Sequence, residues 1–172
     1  MQMVKRIVGG FFLSIILLWL FAPKVELYYF LEKSLKEKNI LISNETITDT
    51  WYGLKIENAD IYVANAKVAN IAELNFNFFL FYNTLKINEI NMDKSLSNMA
   101  PKEINKIDAI YSVLNPLHIK LDGVGSFGVL DGRVALRDKK ITILFPVAKE
   151  LKTIKKFLKK DKEKGWFYET NY

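Results

Sequence analysis

The longest unbroken hydrophobic pattern in the chain runs from Ile7 to Ala22 (IVGGFFLSIILLWLFA), bracketed by Lys5-Arg6 and by Pro23-Lys24. Sixteen residues at about 1.5 Å each span roughly 24 Å as a helix, the short edge of what crosses a hydrocarbon core. Met3 and Val4 lengthen the run, and snorkelling by Lys5 and Lys24 supplies the remainder. Residues 7–23 are therefore expected to be a transmembrane anchor behind a short stub, residues 1–6. Trp19 and Phe21, then Tyr28, Tyr29 and Phe30, read as an interfacial aromatic belt. A cleavable leader would want small residues in an A-x-A pattern, and large Leu20 with Pro23 around Ala22 opposes cleavage. The basic residues Lys5 and Arg6 predict that the stub stays in the cytoplasm and the body lies outside.

Beyond the anchor the period changes twice. Leu27, Leu31 and Leu35 recur every fourth residue, which predicts a juxtamembrane helix over residues 24–39 with Asn39 as its stop. From Ile40 the pattern alternates. Leu54 and Ile56, then Ala59, Ile61 and Val63, alternate with a slip at Glu57-Asn58 that suggests a bulge. Leu74, Phe76, Phe78 and Leu80 continue on another strand. Leu85 and Ile87, then Ile90 and Met92, repeat the slip at Asn88-Glu89, so the triads Leu54-Lys55-Ile56 and Leu85-Lys86-Ile87 form a weak internal echo. Further strands are expected over 107–114, 117–121, 124–130, 134–137 and 141–145, with turns at Asn115-Pro116, Asp131-Gly132 and Asp138-Lys139-Lys140. Lys94 to Lys106 reads as a loop with a helical turn. Consecutive strands without intervening helices predict a curved antiparallel meander over residues 40–146.

After Pro146, the residues Val147, Leu151, Ile154 and Leu158 make a helical stripe. Residues 147–164 are accordingly expected to form a basic amphipathic helix whose stripe covers the open face or end of the sheet. The alternative is that its outer face, Lys152, Lys155, Lys156, Lys159 and Lys160, meets an anionic membrane surface or an acidic partner. Gly165 stops it, and residues 165–172 form a last strand or a tail. The predicted class is thus mainly β with α: a transmembrane helix, a curled antiparallel sheet and a C-terminal amphipathic helix.

Charge sharpens this division. The chain carries 25 Lys+Arg against 19 Asp+Glu, a net +6, within 172 residues. Ile7 to Ala148 is neutral; the excess sits in Lys5-Arg6 and in Lys149–Lys164. A basic whole would suggest nucleic acid, whereas a neutral body with two basic ends does not, and no nucleic-acid partner is expected. Without cysteine there is no disulfide framework, thiolate nucleophile or zinc ribbon, and one histidine excludes a site needing two imidazoles.

Gly123-Val124-Gly125-Ser126-Phe127-Gly128 matches a dinucleotide-binding spacing, but a strand and a turn follow where a helix would be needed. His118 lies on the opposite strand face from Leu117, Ile119 and Leu121. Ser112, Ser126 and Asp122 are near in sequence, yet no nucleophile elbow surrounds either serine. Acidic residues are scattered singly. Neither enzyme, metal nor cofactor is expected.

Several positions carry a family likeness. Phe21-Ala22-Pro23 closes the anchor, and Thr48-Asp49-Thr50-Trp51-Tyr52-Gly53 is similar to a Gly-Thr-x-Trp-x-Gly turn with Thr48 in place of the first Gly. Ile71 to Leu85 is similar to a strand ending in Leu-Leu-x-Gly, with Asn83 for the Gly. Gly125, Phe127, Gly128, Leu130, Gly132, Val134 and Leu136 follow a Gly-x-Phe-Gly-x-Leu-x-Gly-x-Val-x-Leu block. Up to about Phe145 the chain resembles protein N of bacterial type II secretion, a small inner-membrane protein, and with it the AsmA-like envelope proteins. The Lys149–Lys164 segment is not part of that pattern. The resemblance implies a periplasm-facing auxiliary of an envelope-spanning machine, anchored in the inner membrane, with no catalytic residues.

Two functions follow as expectations. The first is a structural or assembly component of an envelope complex (type II secretion-like, or equally a pilus or flagellar motor accessory), tethered at Lys5, Arg6 and Trp19 and pairing through exposed strand edges. The second is a lipid-binding or lipid-transfer module whose groove is lined by Phe76, Phe78, Leu80, Ile119 and Leu121, taking phospholipid.

Overall fold

The computed structural model describes residues 2–96, 99–149, 151, 154–162 and 165–172. Two helices come first: α1, Gln2–Leu20, and α2, Lys24–Glu37. Eleven strands follow among the described residues: β1 Ile40–Ser43, β2 Thr46–Thr50, β3 Gly53–Val63, β4 Ala66–Phe78, β5 Tyr82–Met92, β6 Glu103–Ser112, β7 His118–Gly125, β8 Gly128–Ala135, β9 Lys140–Ala148, β10 Lys159–Asp161 and β11 Gly165–Asn171. All pair antiparallel in one open sheet, β1-β3-β4-β5-β6-β7-β8-β9-β11-β10, with β2 beside β1 on the same edge of β3. The predicted mainly-β class with an open antiparallel sheet is therefore present.

None of the described residues of α1 is buried, and the helix is long and apolar enough to cross a membrane. The α1–α2 break falls at residues 21–23, where Pro23 lacks the N–H to continue a helix from α1.

In the meander, alternate turns gather at opposite ends of the sheet. One end holds the β2–β3, β4–β5, β6–β7 and β8–β9 turns; the C-terminal end of α1 meets it, because the Trp19 Nε1–H donates to the Phe78 carbonyl at 2.7 Å. We term this the anchor end and the opposite one the far end.

The phase slips are real, but they are not bulges. Across Asn58 the register is unchanged, with Glu57 opposite Glu73 and Ala59 opposite Ile71, and likewise Asn88 stays opposite Glu73 and Ile90 opposite Ile71. Asn58 and Glu89 instead take left-handed backbone, φ 58° and 54°, as does Asn44 (φ 65°) between β1 and β2. Asn58 and Glu89 lie in one row on either side of β4, with Asn44 one residue off that row, so neighbouring strands reset their alternation together and the apolar face stays continuous across a crease. A true register shift occurs one step further on, at Ile61/Tyr62. The echoed triads flank β4 symmetrically: Leu54 and Leu85 both face Phe76, and Ile56 and Ile87 both face Leu74.

Two expectations are corrected. Asp131-Gly132 is not a turn but the middle of β8, where Gly132 lies opposite Leu121; a Cβ at Gly132 would stand 3.0 Å from the Leu121 Cβ, so the glycine makes room for a neighbour. The turn is at Ser126-Phe127, where Gly128 has φ +99° and any Cβ would collide with the Val147 carbonyl. The amphipathic helix over 147–164 is likewise not formed among the described residues. Val147 and Ala148 extend β9 against Val129 and Gly128, Lys155–Phe157 is one 3-10 turn, and Lys159–Asp161 pairs with β11. Ladder hydrogen bonds from long-range pairing override the local helical period.

Candidate functional site

The sheet has one polar and one apolar face. On the polar face ion pairs run along and between strands: Lys55 Nζ lies 2.8 Å from Glu57 on its own strand and 3.3 Å from Glu73 on β4, Lys106 pairs Asp108 at 2.6 Å along β6, and Lys120 pairs Asp122 at 2.9 Å along β7. Asp60 is buried and accepts from Lys67 (2.7 Å), Asn70 (2.8 Å) and Asn44 (3.0 Å). Those three donors stabilise its charged form and hold its carboxyl at about 2. Hydrogen bonds from Asn75, Asn88 and Lys55 likewise lower the Glu73 carboxyl.

The apolar face is filled at the far end and hollow at the anchor end. At the far end Ala69, Ile90, Ile104, Phe127 and Phe145 are buried together, with the Phe127 and Phe145 rings edge-to-face at 5.7 Å. Leu151, Ile154, Leu158 and Trp166 pack against them. Leu151, Ile154 and Leu158 of the predicted stripe thus reach the end of the sheet in a different conformation, whereas Val147 lies exposed on β9.

Where α2 meets the sheet, Tyr28, Leu54, Ile56 and Ala59 form a second buried cluster; from β4 onward the same face stays half-buried toward the anchor end. One cavity of about 410 Å³ lies between α2 and the sheet, lined by Leu27, Leu31 and Leu35 from α2 and by Leu54, Leu74 and Phe76 from the strands. A second, of about 300 Å³, is lined by Phe76, Phe78, Leu85, Ala109, Tyr111 and Ile119. The two share Phe76, Phe78 and Leu85, and so adjoin. Volumes of this order match small-molecule pockets, which run about 300–1,000 Å³.

Two polar groups of α2 border the larger cavity. Lys24 is buried and its Nζ lies 3.0 Å from Asp49, whose carboxylate is half-exposed. The Tyr28 hydroxyl donates to Glu45 at 3.2 Å; burial, and then the negative charge of Glu45, push that hydroxyl well above its ordinary value.

Of the groove residues read from sequence, Phe76, Phe78 and Ile119 meet in one cavity. Leu121 shares their strand face, paired with Ala109 and Gly132, without lining either cavity. Leu80 belongs elsewhere, to the β4–β5 turn, where it lines an apolar recess with Ile16, Trp19 and Phe81. Sequence reasoning missed the contribution of α2, although the Leu27-Leu31-Leu35 stripe was its signal, and it missed buried Lys24.

The lysines of the C-terminal segment sit at the far end. Lys155 and Lys160 lie over the Trp166 ring at 5.2 and 5.5 Å, Lys156 lies over Phe157 at 5.0 Å, and Lys159 is paired in β10 opposite Phe167. Lys152 lies outside the described residues. Lys5 and Arg6 are exposed on the first turns of α1. Ser112 and His118 meet at one small pocket at the anchor end, where the Ser112 hydroxyl accepts from the Leu114 amide and the His118 Nδ1 lies 2.8 Å from the Asn115 Oδ1, whereas Asp122 lies further along β7 and Ser126 just beyond it, so the four are not gathered into one site. Comparison of the chain with protein-family models, with curated proteins and with solved structures finds no match.

Proposed function

We propose that the protein is a membrane-tethered, non-enzymatic module that holds the acyl chain of a lipid in its apolar groove. The observation that carries this reading is the pair of adjoining cavities whose lining is almost wholly aliphatic and aromatic, at the end of the sheet held against α1. Each methylene moved from water into such a groove gains about 0.8 kcal/mol. A single acyl chain therefore repays its lost freedom without specific polar contacts. α1 serves as the anchor, with Lys5 and Arg6 keeping its start in the cytoplasm and the sheet on the periplasmic side of an inner membrane.

Native mass spectrometry of full-length protein, extracted in detergent without added lipid, tests the reading. Co-purified phospholipid or fatty acid, reduced several-fold by Ala109→Trp, is the expected result. A lipid-free protein that also fails to take up a fluorescent fatty acid would overturn it.

A second reading follows from the resemblance to protein N of type II secretion: an assembly component that joins an envelope complex. The outer edge of β2, Thr46–Thr50, supports it, since among the described residues no strand lies beyond and a partner strand has room to add there. Specific envelope subunits crosslinked in situ to a photoreactive residue at Thr48, with no lipid bound, would favour this role.

A further inference from the structure

The anchor end carries a feature that neither the groove nor the core uses. Its turns are apolar at their tips. Trp51 is 80% exposed, Phe81 68% and Leu114 96%, and Phe79 and Leu136 are exposed as well. The β4–β5 turn, Phe78-Phe79-Leu80-Phe81-Tyr82, contains no charged residue. At the far end the comparable tips are Ala64-Asn65, the longer β5–β6 loop, which opens on Asp93-Lys94-Ser95 and exposes one large apolar side chain, Met99, among its described residues, and Ser126-Phe127, whose phenyl ring is folded inward and buried.

The apolar tips are also tied to α1. Trp19 donates to the Phe78 carbonyl, stacks on Phe79 with centroids 6.0 Å apart, and Phe79 stacks in turn on Tyr52 at 5.3 Å. The 19 residues of α1 extend about 28 Å, close to the thickness of a hydrocarbon core. Trp19, one residue from its end, then lies at the membrane–water interface, where indole rings concentrate. A turn hydrogen-bonded to that indole lies at the same depth.

We propose that the anchor-end turns form a rim that seats in the interface of the same bilayer that α1 crosses. The occupant of this surface is phospholipid at headgroup and upper acyl-chain level, with Trp51, Phe79, Phe81 and Leu114 inserted and exposed Arg137 and Lys139 in the β8–β9 turn available to lipid phosphates. Large exposed apolar side chains on several successive turns cost solvation in water and gain it at an interface. The rim depends on α1 spanning the membrane and not on the acyl-chain reading, although it would place the groove mouth against the leaflet.

The chain has no cysteine, so single labels can be placed without background. Phe81→Cys, Leu114→Cys and, at the far end, Lys94→Cys would each carry a polarity-sensitive fluorophore. The labelled full-length proteins are reconstituted in vesicles of phosphatidylcholine and phosphatidylglycerol containing a lipid spin-labelled near its headgroup. Labels at 81 and 114 are expected to show blue-shifted emission and several-fold quenching, and the label at 94 neither. Position 114 decides the matter, because 81 is held close to α1. Water-like, unquenched emission at 114 would overturn the rim, as would protein that fails to float with the vesicles.

Discussion

The two ends of the apolar face arise from one alternation of strand residues and reach opposite outcomes. At the far end Phe127 folds back over the sheet from its turn, and Leu151, Ile154, Leu158 and Trp166 close over Phe145 and Ile104. At the anchor end the cover is a single helix, α2, laid along β1 to β3, and strands from β4 onward keep Phe78, Tyr111 and Ile119 only half-covered around adjoining cavities. An open sheet with one apolar face needs a second layer. Here the chain supplies that layer at both edges and leaves the middle of the anchor end without one, beside α1. Hydrophobic strand pattern therefore does not by itself distinguish core from binding surface; what lies over it does.

The contrast can be broken from the filled side. Phe127→Ala removes a ring that is 4% exposed and is expected to cost about 3–5 kcal/mol, read as a fall in the urea midpoint. A loss below about 1 kcal/mol would mean that the far end is not a packed core. Filling the hollow side is expected to cost much less. Overpacking a closed core costs about 1–3 kcal/mol, so Ala109→Trp, built into open space, should stay below that range while lowering acyl-chain uptake several-fold. Loss of both stability and uptake would place Ala109 in the core instead.

The cover over the hollow half offers a smaller test. Lys24 and Asp49 form a pair with only one buried member. Removing one partner of an ion pair is costly when it strands the other charge in the interior, and here the remaining carboxylate of Asp49 is half in water while the buried ammonium is the group removed. Lys24→Met is expected to unfold within about 1 kcal/mol of the parent, and a larger loss would show that the pair fastens α2 to β2.

The polar face provides the acid-sensitivity test. Because the Asp60 carboxyl is held at about 2 when folded, below its ordinary 3.8, its contribution is complete above the ordinary value. That contribution is lost as pH falls from about 4 toward 2. Asp60→Asn should flatten this part of the stability–pH curve, and an unchanged slope would remove Asp60 from the account.

Legibility in the sequence followed the range of the interactions. The apolar helix α1, α2 and the strands were readable because their periods are local: sixteen uncharged residues, leucines four apart, alternating β-branched and aromatic residues. The slips at Asn58 and Glu89 were also visible, but not their geometry, since an isolated strand does not reveal that its neighbours slip in the same row. Asp131-Gly132 misled because the dipeptide has turn chemistry, whereas Gly132 serves to admit Leu121 from β7. Phe76, Phe78 and Ile119 were found as a groove from alternation, and Leu80 was assigned to it wrongly, because the strand ends at Phe78 and the turn carries Leu80 toward Trp19.

The C-terminal segment states the division most plainly. Its sequence alone determined which residues are apolar, and therefore that Leu151, Ile154 and Leu158 would seek the sheet, because burial depends on side-chain chemistry. Only the tertiary structure decided that they do so without an α-helix among the described residues, because pairing of β9 with β8 and of β10 with β11 supplies backbone hydrogen bonds that a marginal helix cannot match. It likewise decided which end of the apolar face is closed, since closure depends on where distant segments meet.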